Sequence, residues 1–196
     1  MQQATATFYD RFTVLYPLVD FFLKPQKQVL FHEINSLPNG HLLEIGVGNG
    51  THLPLYKKHK ITGIDTSLRM LERARKLQPR GVELLQMNGE SLSFPKAHFD
   101  YVVLSHVVAV VAHPQQLLQE ACRVLKPGGS LLILNHFTPN NWLQYVDRSF
   151  ATVSGMLHFK SFFPISKLAI PQELSLIKET GIGPLSYFKL LIFVKK

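Results

Sequence analysis

The sequence predicts a single α/β domain over all 196 residues, with a mostly parallel sheet covered by helices on both faces. From His41 onward, short apolar runs alternate with helical patterns, which is the element order of a parallel sheet. The first run ends in a glycine-rich loop, Glu44-Ile-Gly-Val-Gly-Asn-Gly50, and the second ends in Asp65. Ligands of open α/β sheets bind at such carboxyl ends of strands, so the fold also predicts where the site lies.

Each strand is predicted from a short apolar run that ends at glycine, proline or a polar residue. Five such runs form the main series, at residues 41–45, 60–65, 82–86, 100–104 and 130–135. Two further strands, residues 174–179 and 187–194, are separated by Gly181-Ile-Gly-Pro184. That spacing is typical of an antiparallel hairpin, which we expect at the edge of the sheet.

Three helices are predicted between the strands. Residues 51–58 form a short helix in which Pro54 lies in the tolerant first turn. Residues 67–78 begin at the N-cap candidate Ser67 and end before Pro79. Their apolar positions are predicted to share one face: Leu68, Leu71, Ala74 and Leu77. The third helix covers residues 114–125 and ends at the loop of residues 126–129.

Residues 5–36 precede the sheet and carry an apolar helical stripe, interrupted near Pro17. Its members recur at steps of four and three: Phe8, Phe12, Leu15, Val19 and Phe22. We therefore divide the domain into an N-terminal helical segment, residues 1–36, and a core, residues 37–196. Three interpretations of the stripe stay open: a cover for the core, a lid over the active site, or insertion into lipid.

Composition restricts the partners and the compartment. The net charge of +8 favours nucleic acid or an acidic membrane surface, although charge also serves solubility. No run of five Lys or Arg residues occurs, so nucleic acid is not expected. Cys122 lies among apolar residues and is predicted to be a packed core thiol. Because signal-peptide and membrane-span patterns are missing, we expect a cytoplasmic protein, with peripheral membrane contact as an option.

The glycine loop is predicted to cradle a nucleotide-type ligand, because Gly46 and Gly48 let the backbone approach closely and adopt positive φ. The dinucleotide fingerprint needs a third glycine where Thr51 stands, which disfavours NAD. The phosphate-loop ending Gly-Lys-Ser/Thr is also missing. A carboxylate at Glu44 would oppose a pyrophosphate but would suit a ligand with an ammonium group and no phosphate. S-adenosylmethionine is such a ligand.

Two polar turns follow the next strands. Asp65 lies nineteen residues after Gly46, where its carboxylate can accept both ribose hydroxyl hydrogens. The alternative for Asp65 is a helix cap or turn. Asn88, Gly89 and Glu90 follow the third strand and face either the adenine or solvent.

These residues resemble the motifs of class I S-adenosylmethionine-dependent methyltransferases over nearly the whole chain. Residues 42–50 resemble their motif I, Asp65 the acidic residue that follows it, and residues 99–104 and 123–129 the motifs around the fourth and fifth strands. The resemblance implies a Rossmann-like, seven-stranded sheet with a reversed final strand, and S-adenosylmethionine as cofactor without a metal. It implies these cofactor contacts: Glu44, Gly46, Gly48, Asn49, Asp65, Thr66, Met70, Asn88, Gly89, Glu90 and Ser105.

A closer resemblance is to soluble bacterial phosphatidylethanolamine N-methyltransferases. The most distinctive similar piece is Asn135-His-Phe137, beside residues 43–50, 62–65, 70–75, 105–111 and 163–168. The tyrosine-containing start is similar too, but the usual Tyr-Asp pair falls at Tyr9-Asp10 rather than at the second tyrosine. Asn88 stands where relatives often have Asp.

Methyl transfer to an amine is an in-line displacement that requires a neutral, well-positioned nucleophile. A nearby histidine or tyrosine can accept or relay the proton of the amine. The candidate catalytic residues are Tyr9, Tyr16, His106 and His136. The two histidines follow the fourth and fifth strands, where residues that face the acceptor would lie; a packing or loop-capping role is the alternative.

Two groups of surface or insertion residues suggest contact with lipid. The helix after Asp65 carries a cationic stripe that either is simply solvated or docks to anionic headgroups: Arg69, Arg73, Lys76 and Arg80. The insertion before the hairpin holds aromatic residues that suit an acyl-chain pocket or a plain core: Trp142, Phe150, Phe159, Phe162 and Phe163.

The predicted function is therefore a phospholipid N-methyltransferase that acts at the membrane surface on a lipid or other small-molecule acceptor. Two alternatives stay open. One is methylation of another amphiphile, such as a quinone precursor, or of a small soluble amine. The other is a non-catalytic S-adenosylmethionine-binding or membrane-binding protein.

Overall fold

The computed structural model describes residues 16–77, 81–137, 168–183 and 187–196, with side chains described from residue 26 onward. The strands are β1 (His41–Ile45), β2 (Lys60–Asp65), β3 (Val82–Gln86), β4 (Phe99–Ser105), β5 (Leu125–His136), β6 (Leu174–Ile182) and β7 (Phe188–Lys195). The helices are α1 (Tyr16–Ser36), α2 (Leu68–Lys76) and α3 (Pro114–Val124), with a short 3₁₀ helix at Leu53–Leu55.

All seven strands form one sheet in the order β3-β2-β1-β4-β5-β7-β6. β1 to β5 pair in parallel, whereas β7 is antiparallel to both β5 and β6. The predicted Rossmann-like, mostly parallel sheet with an antiparallel C-terminal hairpin is therefore confirmed. The strand order changes direction between β1 and β4, which places the ligand crevice beyond the carboxyl ends of these strands.

The central strands of the sheet are buried on both faces, which explains why they are continuous apolar runs. One face packs against α3 and includes Leu43 and Val102, which are fully buried. The other face packs against α1 and α2 and includes Leu42 and Val103. Because successive strand residues point to opposite faces, each strand contributes to both cores.

The helix predicted at residues 51–58 is reduced to the 3₁₀ turn Leu53–Leu55. The Leu55 amide donates to the His52 carbonyl at 2.9 Å and the Tyr56 amide to the Leu53 carbonyl at 3.2 Å, a three-residue pattern. Pro54 has no amide hydrogen to donate, and the backbone is extended at Tyr56 (ψ 122°). The segment therefore turns once and then continues toward β2.

The apolar face predicted for α2 is wrong in half of its residues. Leu71 and Ala74 are buried, but Leu68 and Leu77 are 47% and 51% exposed. Steps of three residues turn a helix by only about 300°, so residues spaced by three drift around its surface. Met70 takes the buried position instead, at 3% exposure. The predicted N-cap is confirmed, because the Ser67 hydroxyl accepts the Met70 amide at 3.3 Å.

The loop predicted at residues 126–129 lies inside β5, which begins at Leu125. Phe99 is paired with Leu125 but Tyr101 with Ser130, so the register shifts and β5 carries extra residues at this point. Such a bulge lets a glycine-containing segment stay in the sheet. A Cβ at Gly129 would lie 2.8 Å from the Asp100 carbonyl oxygen, so the close approach of the two strands requires glycine here.

The described part of the N-terminal segment is one continuous helix, α1, with Pro17 in its first turn. Its carboxyl-terminal half packs on the sheet through Leu30, Phe31 and Ile34, all buried. Asn35 then joins α1 to the 3₁₀ segment, since its side chain donates to the Leu55 carbonyl at 2.9 Å and accepts the Lys57 amide at 3.0 Å. Residues 1–15 lie outside the described residues, so the lid stays a prediction. No described helix is long and apolar enough to cross a membrane.

A buried lysine joins the last strand to α3. The Lys195 ammonium donates to the carbonyls of Cys122 and Leu125, at 2.6 and 2.7 Å, where the helix ends. Cys122 itself is 4% exposed, and burial raises the pKa of its thiol. The prediction of a packed core thiol is therefore confirmed.

Candidate functional site

The candidate site lies at the carboxyl edge of the sheet, where β1, β2, β4 and β5 end. The glycine loop begins there, with the Gly46 and Val47 amides both donating to the Ile64 carbonyl of β2, at 2.8 and 3.0 Å. Gly46 has φ of +78°, and a Cβ there would overlap Val107. The loop is therefore pinned between β2 and the segment after β4, and only glycine fits at its first turn.

Asp65 holds the middle of this loop. Its two carboxylate oxygens accept the Gly48 amide at 2.8 Å and the Ser67 amide at 2.9 Å. Burial raises the pKa of Asp65, although these backbone hydrogen bonds oppose the rise. Each oxygen keeps further lone pairs, so the carboxylate can still accept hydrogen bonds from a ligand.

Glu44 lies beneath the loop at 1% exposure. Its Oε1 is 2.7 Å from His52 Nε2, and its Oε2 accepts the Tyr56 hydroxyl at 3.0 Å. Burial, followed by the Glu44 charge, raises the pKa of Tyr56 well above its ordinary value, so the hydroxyl stays protonated and donates. The carboxylate is thus engaged by two side chains that follow the glycine loop.

The turn after β3 is held by its own polar groups. The Asn88 side chain accepts the Glu90 amide at 2.9 Å, and the Glu90 carboxylate accepts the His113 amide at 2.7 Å. A Cβ at Gly89 would lie 2.5 Å from Ile45 Cγ2, so this turn packs directly against the end of β1. The three residues predicted to meet the adenine therefore lie beside the glycine loop.

The other predicted cofactor residues differ in their burial and in their hydrogen bonds. Asn49 accepts the Thr51 amide at 3.3 Å and so stabilises the loop itself. Thr66 is exposed directly after Asp65, whereas Met70 is buried against the sheet. Ser105 ends β4, and its hydroxyl oxygen is buried without a hydrogen-bond partner among the described residues.

The two candidate histidines lie at the ends of neighbouring strands. Ser105 of β4 is paired with Leu134 of β5, so His106 and His136 follow this pair on adjacent strands. His106 has φ of +58°, an uncommon backbone for a side chain larger than glycine, and its amide donates to the Leu134 carbonyl at 2.7 Å. Strained residues of this kind occur often at functional sites.

Aromatic rings from the start of β7 cover both histidines. His136 is stacked on Tyr187, with ring centroids 5.8 Å apart and 18° between the planes. The His106 and Phe188 rings are nearly perpendicular, with centroids 5.8 Å apart. Stacked and perpendicular ring pairs of this kind stabilise the positions of both imidazoles.

The structure brings most of the described predicted residues to one edge of the sheet, and it adds several residues that the sequence analysis did not assign to the site. His52 and Tyr56 were assigned only to a helix, and Val107 and Tyr187 had no assigned role. Asn135 was noted for resemblance alone, yet it is fully buried, donates to the His136 carbonyl at 2.7 Å and has an amide oxygen with no partner in the described ranges. The sequence did contain an indication that Asn135 belongs to the site, because a polar residue at the end of an apolar strand is costly to bury.

Two of the predicted catalytic residues cannot be placed against this site. Tyr9 lies outside the described residues, and Tyr16 begins α1 but its side chain is not described. Within the described ranges no group of three His, Cys, Asp or Glu side chains could hold a metal ion. The site is therefore built on the glycine loop, Asp65 and the two histidines.

The arrangement fits S-adenosylmethionine, the ligand that the sequence predicts. The glycine loop lets the ligand approach the backbone, and Asp65 offers carboxylate lone pairs at the point where ribose hydroxyls would lie. The turn of Asn88 to Glu90 closes the same crevice on the β3 side. The histidines after β4 and β5 lie farther along the same edge.

Comparisons with known proteins agree with this geometry. A family model described as a methyltransferase domain matches residues 43–133, which include the glycine loop, Asp65 and the end of β4. Among solved structures, a S-adenosylmethionine-dependent methyltransferase from Thermotoga maritima, described as a possible histamine N-methyltransferase, is similar. It gives a TM-score of 0.73 at 25% identity and covers 97% of this chain and 99% of that one.

Two curated proteins that are similar to this chain are named for different methyl acceptors. Phosphatidylethanolamine N-methyltransferase of Cereibacter sphaeroides is 37% identical over 179 residues, which cover 88% of this chain and 87% of that protein. Demethylmenaquinone methyltransferase of Listeria welshimeri is also 37% identical, but over 109 residues that cover 53% of this chain and 45% of that protein. The first match extends over much more of both chains.

Proposed function

Because this chain belongs to the class I S-adenosylmethionine-dependent methyltransferases, we propose that it methylates the amine of phosphatidylethanolamine or a related phospholipid at a membrane surface. The observation that carries this proposal is the 37% identity to a phosphatidylethanolamine N-methyltransferase over 88% of the chain. The two histidines at the ends of β4 and β5, either of which can accept a proton, support an amine as the acceptor.

The bound cofactor supplies a methyl group that is activated by a positively charged sulfur. The residues of this chain hold the cofactor and the acceptor in position. Asp65 would accept the ribose hydroxyls, the glycine loop would receive the methionine part against its backbone, and residues 88–90 would hold the adenine side. Holding two reactants in line can contribute about 7–11 kcal/mol to a reaction of this kind.

The acceptor amine attacks as the neutral base, so a proton must leave it before or as the nitrogen–carbon bond forms and the carbon–sulfur bond breaks. We assign proton acceptance to His106 or His136, each at the end of a strand that borders the crevice.

Incubation with radiolabelled S-adenosylmethionine tests the acceptor. Vesicles that contain phosphatidylethanolamine should yield labelled methylated lipid, whereas vesicles of phosphatidylcholine alone, which has no amine hydrogen, should yield none. Label that appears only in water-soluble products would overturn the phospholipid proposal.

A second candidate is methylation of a quinone precursor, favoured by the 37% identity to demethylmenaquinone methyltransferase over about half of this chain. The same assay separates the two candidates when a demethylated quinol replaces the amine lipid. A third candidate is a non-catalytic protein, which predicts binding of S-adenosylhomocysteine but no turnover on any acceptor.

Membrane contact through α2 is part of the proposal. Arg73 and Lys76 are exposed on the side of α2 opposite the buried Met70, Leu71 and Ala74. Arg69 is exposed on the same side, while Arg80 lies outside the described residues. Basic residues near an anionic surface strengthen binding by about 1 kcal/mol each.

Binding to vesicles tests this surface. The double substitution Arg73→Gln and Lys76→Gln should weaken binding to anionic vesicles by roughly tenfold or more, and high salt should have a similar effect. Lys96→Gln changes an exposed charge that precedes β4 and serves as the control. Equal binding of the unchanged protein to neutral and anionic vesicles would rule out the contact.

A further inference from the structure

Glu44 is too deeply buried to meet a ligand as the protein stands. Its relative exposure is 1%, so a water-sized probe scarcely touches it. An ammonium group is about the size of a water molecule and would be excluded in the same way. Asp65, in contrast, is half-buried at the edge of the same crevice. The two carboxylates of the cradle therefore differ in what they can reach.

Both oxygens of Glu44 are directed to side chains of the segment that follows the glycine loop. His52 Nε2 lies 2.7 Å from Oε1, and the Tyr56 hydroxyl lies 3.0 Å from Oε2. His52 Nδ1 is buried with no hydrogen-bond partner among the described residues, so a single proton on Nε2 satisfies the carboxylate and leaves Nδ1 as an acceptor. Each oxygen thus receives one donor from the chain itself.

The same two side chains are covered by α1. The Phe31 ring meets the Tyr56 ring edge-on at 4.9 Å and lies 5.9 Å from the His52 ring. The group formed by Glu44, His52, Tyr56 and Phe31, here the anchor cluster, therefore joins the end of β1, the 3₁₀ segment and α1. The Glu44 charge also adds to the effect of burial in raising the pKa of Asp65.

We infer that Glu44 is a positioning residue: it fixes the segment after the glycine loop through His52 and Tyr56 and does not itself bind the ammonium group of the cofactor. The effect of Glu44 on the ligand is then exerted through the shape of the loop. This inference rests on the proposed function only for the identity of the ligand.

Two ligands distinguish an anchor from a direct contact. S-adenosylhomocysteine carries the ammonium group, and its analogue with hydrogen in place of the amine does not. If Glu44 acts as an anchor, Glu44→Gln weakens both ligands by the same factor, about tenfold, because a charge-assisted hydrogen bond is lost. The ratio of the two dissociation constants should then stay within about twofold of the unchanged protein. Calorimetric titration measures both constants.

A direct contact gives the opposite pattern. Glu44→Gln would then abolish the preference for the ligand with the ammonium group and leave the binding of the analogue unchanged, which would overturn the inference. Glu120→Gln is the control, because the Glu120 carboxylate also accepts hydrogen bonds from the chain, two from Arg123 and one from the Leu92 amide, far from the glycine loop. It should lower the melting temperature without changing either affinity.

Unfolding of the ligand-free protein supplies an independent measure. Glu44→Gln and Tyr56→Phe should each lower the melting temperature by several degrees. The double variant should lose little more than Glu44→Gln alone, because both substitutions break the same hydrogen bond. Fully additive losses would contradict the anchor cluster. If the unchanged protein binds no S-adenosylhomocysteine, the proposed function fails, while the coupling in the ligand-free protein still decides the role of Glu44.

Discussion

The two halves of the crevice differ in how the oxygen atoms of their polar side chains are satisfied. On the cofactor side, at the ends of β1 to β3, the carboxylates of Glu44, Asp65 and Glu90 each accept hydrogen bonds from the chain. On the acceptor side, at the ends of β4 and β5, Ser105 Oγ and Asn135 Oδ1 are buried and have no partner within the described residues. His106 on that side also has a positive φ.

This difference indicates which groups serve the stability of the fold and which are available to a ligand. Groups that are satisfied by the chain stabilise the fold whether or not a ligand is present. Buried groups without partners cost free energy, and proteins keep such groups where a ligand uses them. We therefore expect substitutions on the cofactor side to lower stability and affinity together, and substitutions on the acceptor side to lower turnover alone.

The largest expected effect is that of Asp65→Ala. The substitution removes the ribose contact and the acceptor for the Gly48 and Ser67 amides. Because two hydrogen bonds to a charged group are lost, the affinity for S-adenosylhomocysteine should fall roughly a hundredfold or more. Calorimetry measures the affinity, and Glu83→Gln on β3 is the control. Unchanged affinity in Asp65→Ala would remove the basis for the ribose assignment.

The next effect concerns His106. His106→Asn keeps a residue type that tolerates positive φ, so the backbone after β4 should be preserved. If His106 accepts the proton of the amine, kcat should fall about a hundredfold while the affinity for S-adenosylhomocysteine stays the same. His98→Asn, at the opposite edge of the sheet, should leave kcat unaltered. A full kcat in His106→Asn would shift the role to His136.

A smaller and more telling contrast pairs Asn135 with Glu90. Asn135→Leu removes an unpartnered amide oxygen together with one donor, so the free energy of unfolding should change by less than about 1 kcal/mol while turnover falls. Glu90→Gln weakens the hydrogen bond to the His113 amide and should cost about 1–2 kcal/mol. Urea denaturation compares the two. The contrast between the halves of the crevice would be lost if Asn135→Leu were the less stable variant.

The smallest expected effect concerns how stability and ligand affinity depend on pH. Burial raises the pKa of Asp65 above its ordinary 3.8, so in the ligand-free protein this group adds stability at acid pH that is lost as the pH rises through the raised pKa. The affinity for the ligand depends on pH in the opposite direction, because ribose hydroxyls donate to the ionised carboxylate. The affinity for S-adenosylhomocysteine should therefore decline as the pH falls through the raised pKa. Calorimetric titrations at a series of acidic pH values measure this affinity. The affinity of Asp65→Asn should change less with pH than that of the unchanged protein.

The sequence predicted those features of the fold that depend on local pattern. β1, β2 and β3 have the predicted bounds because each is a short apolar run between residues that interrupt strands. Ser67 was identified as a cap because the capping hydrogen bond spans only three residues. Local pattern was insufficient for α2, where Leu68 and Leu77 are exposed because the neighbouring strands contact only part of the helix surface.

Features that depend on distant pairing could not be predicted. The bulge in β5 arises from its register with β4, which no property of residues 126–129 reveals. The anchor cluster brings together Glu44, Tyr56 and Phe31 from three elements, and the pattern at residues 51–58 indicated only a helix. The contact between the glycine loop and Asp65 was predictable, since both follow the ends of neighbouring parallel strands; the partners of Glu44 were not.

The position of β7 has a consequence for synthesis of the chain. β7 lies between β5 and β6 in the sheet, although it is translated after both. From the end of β5 at His136 to the start of β7 at Phe188 is 52 residues, so at roughly 5–20 residues per second the β5 edge stays open on the ribosome for about 3–10 s. An open apolar edge is prone to pair with other chains. The β5 edge is therefore available for such pairing throughout this interval, until β7 has been made and can occupy it.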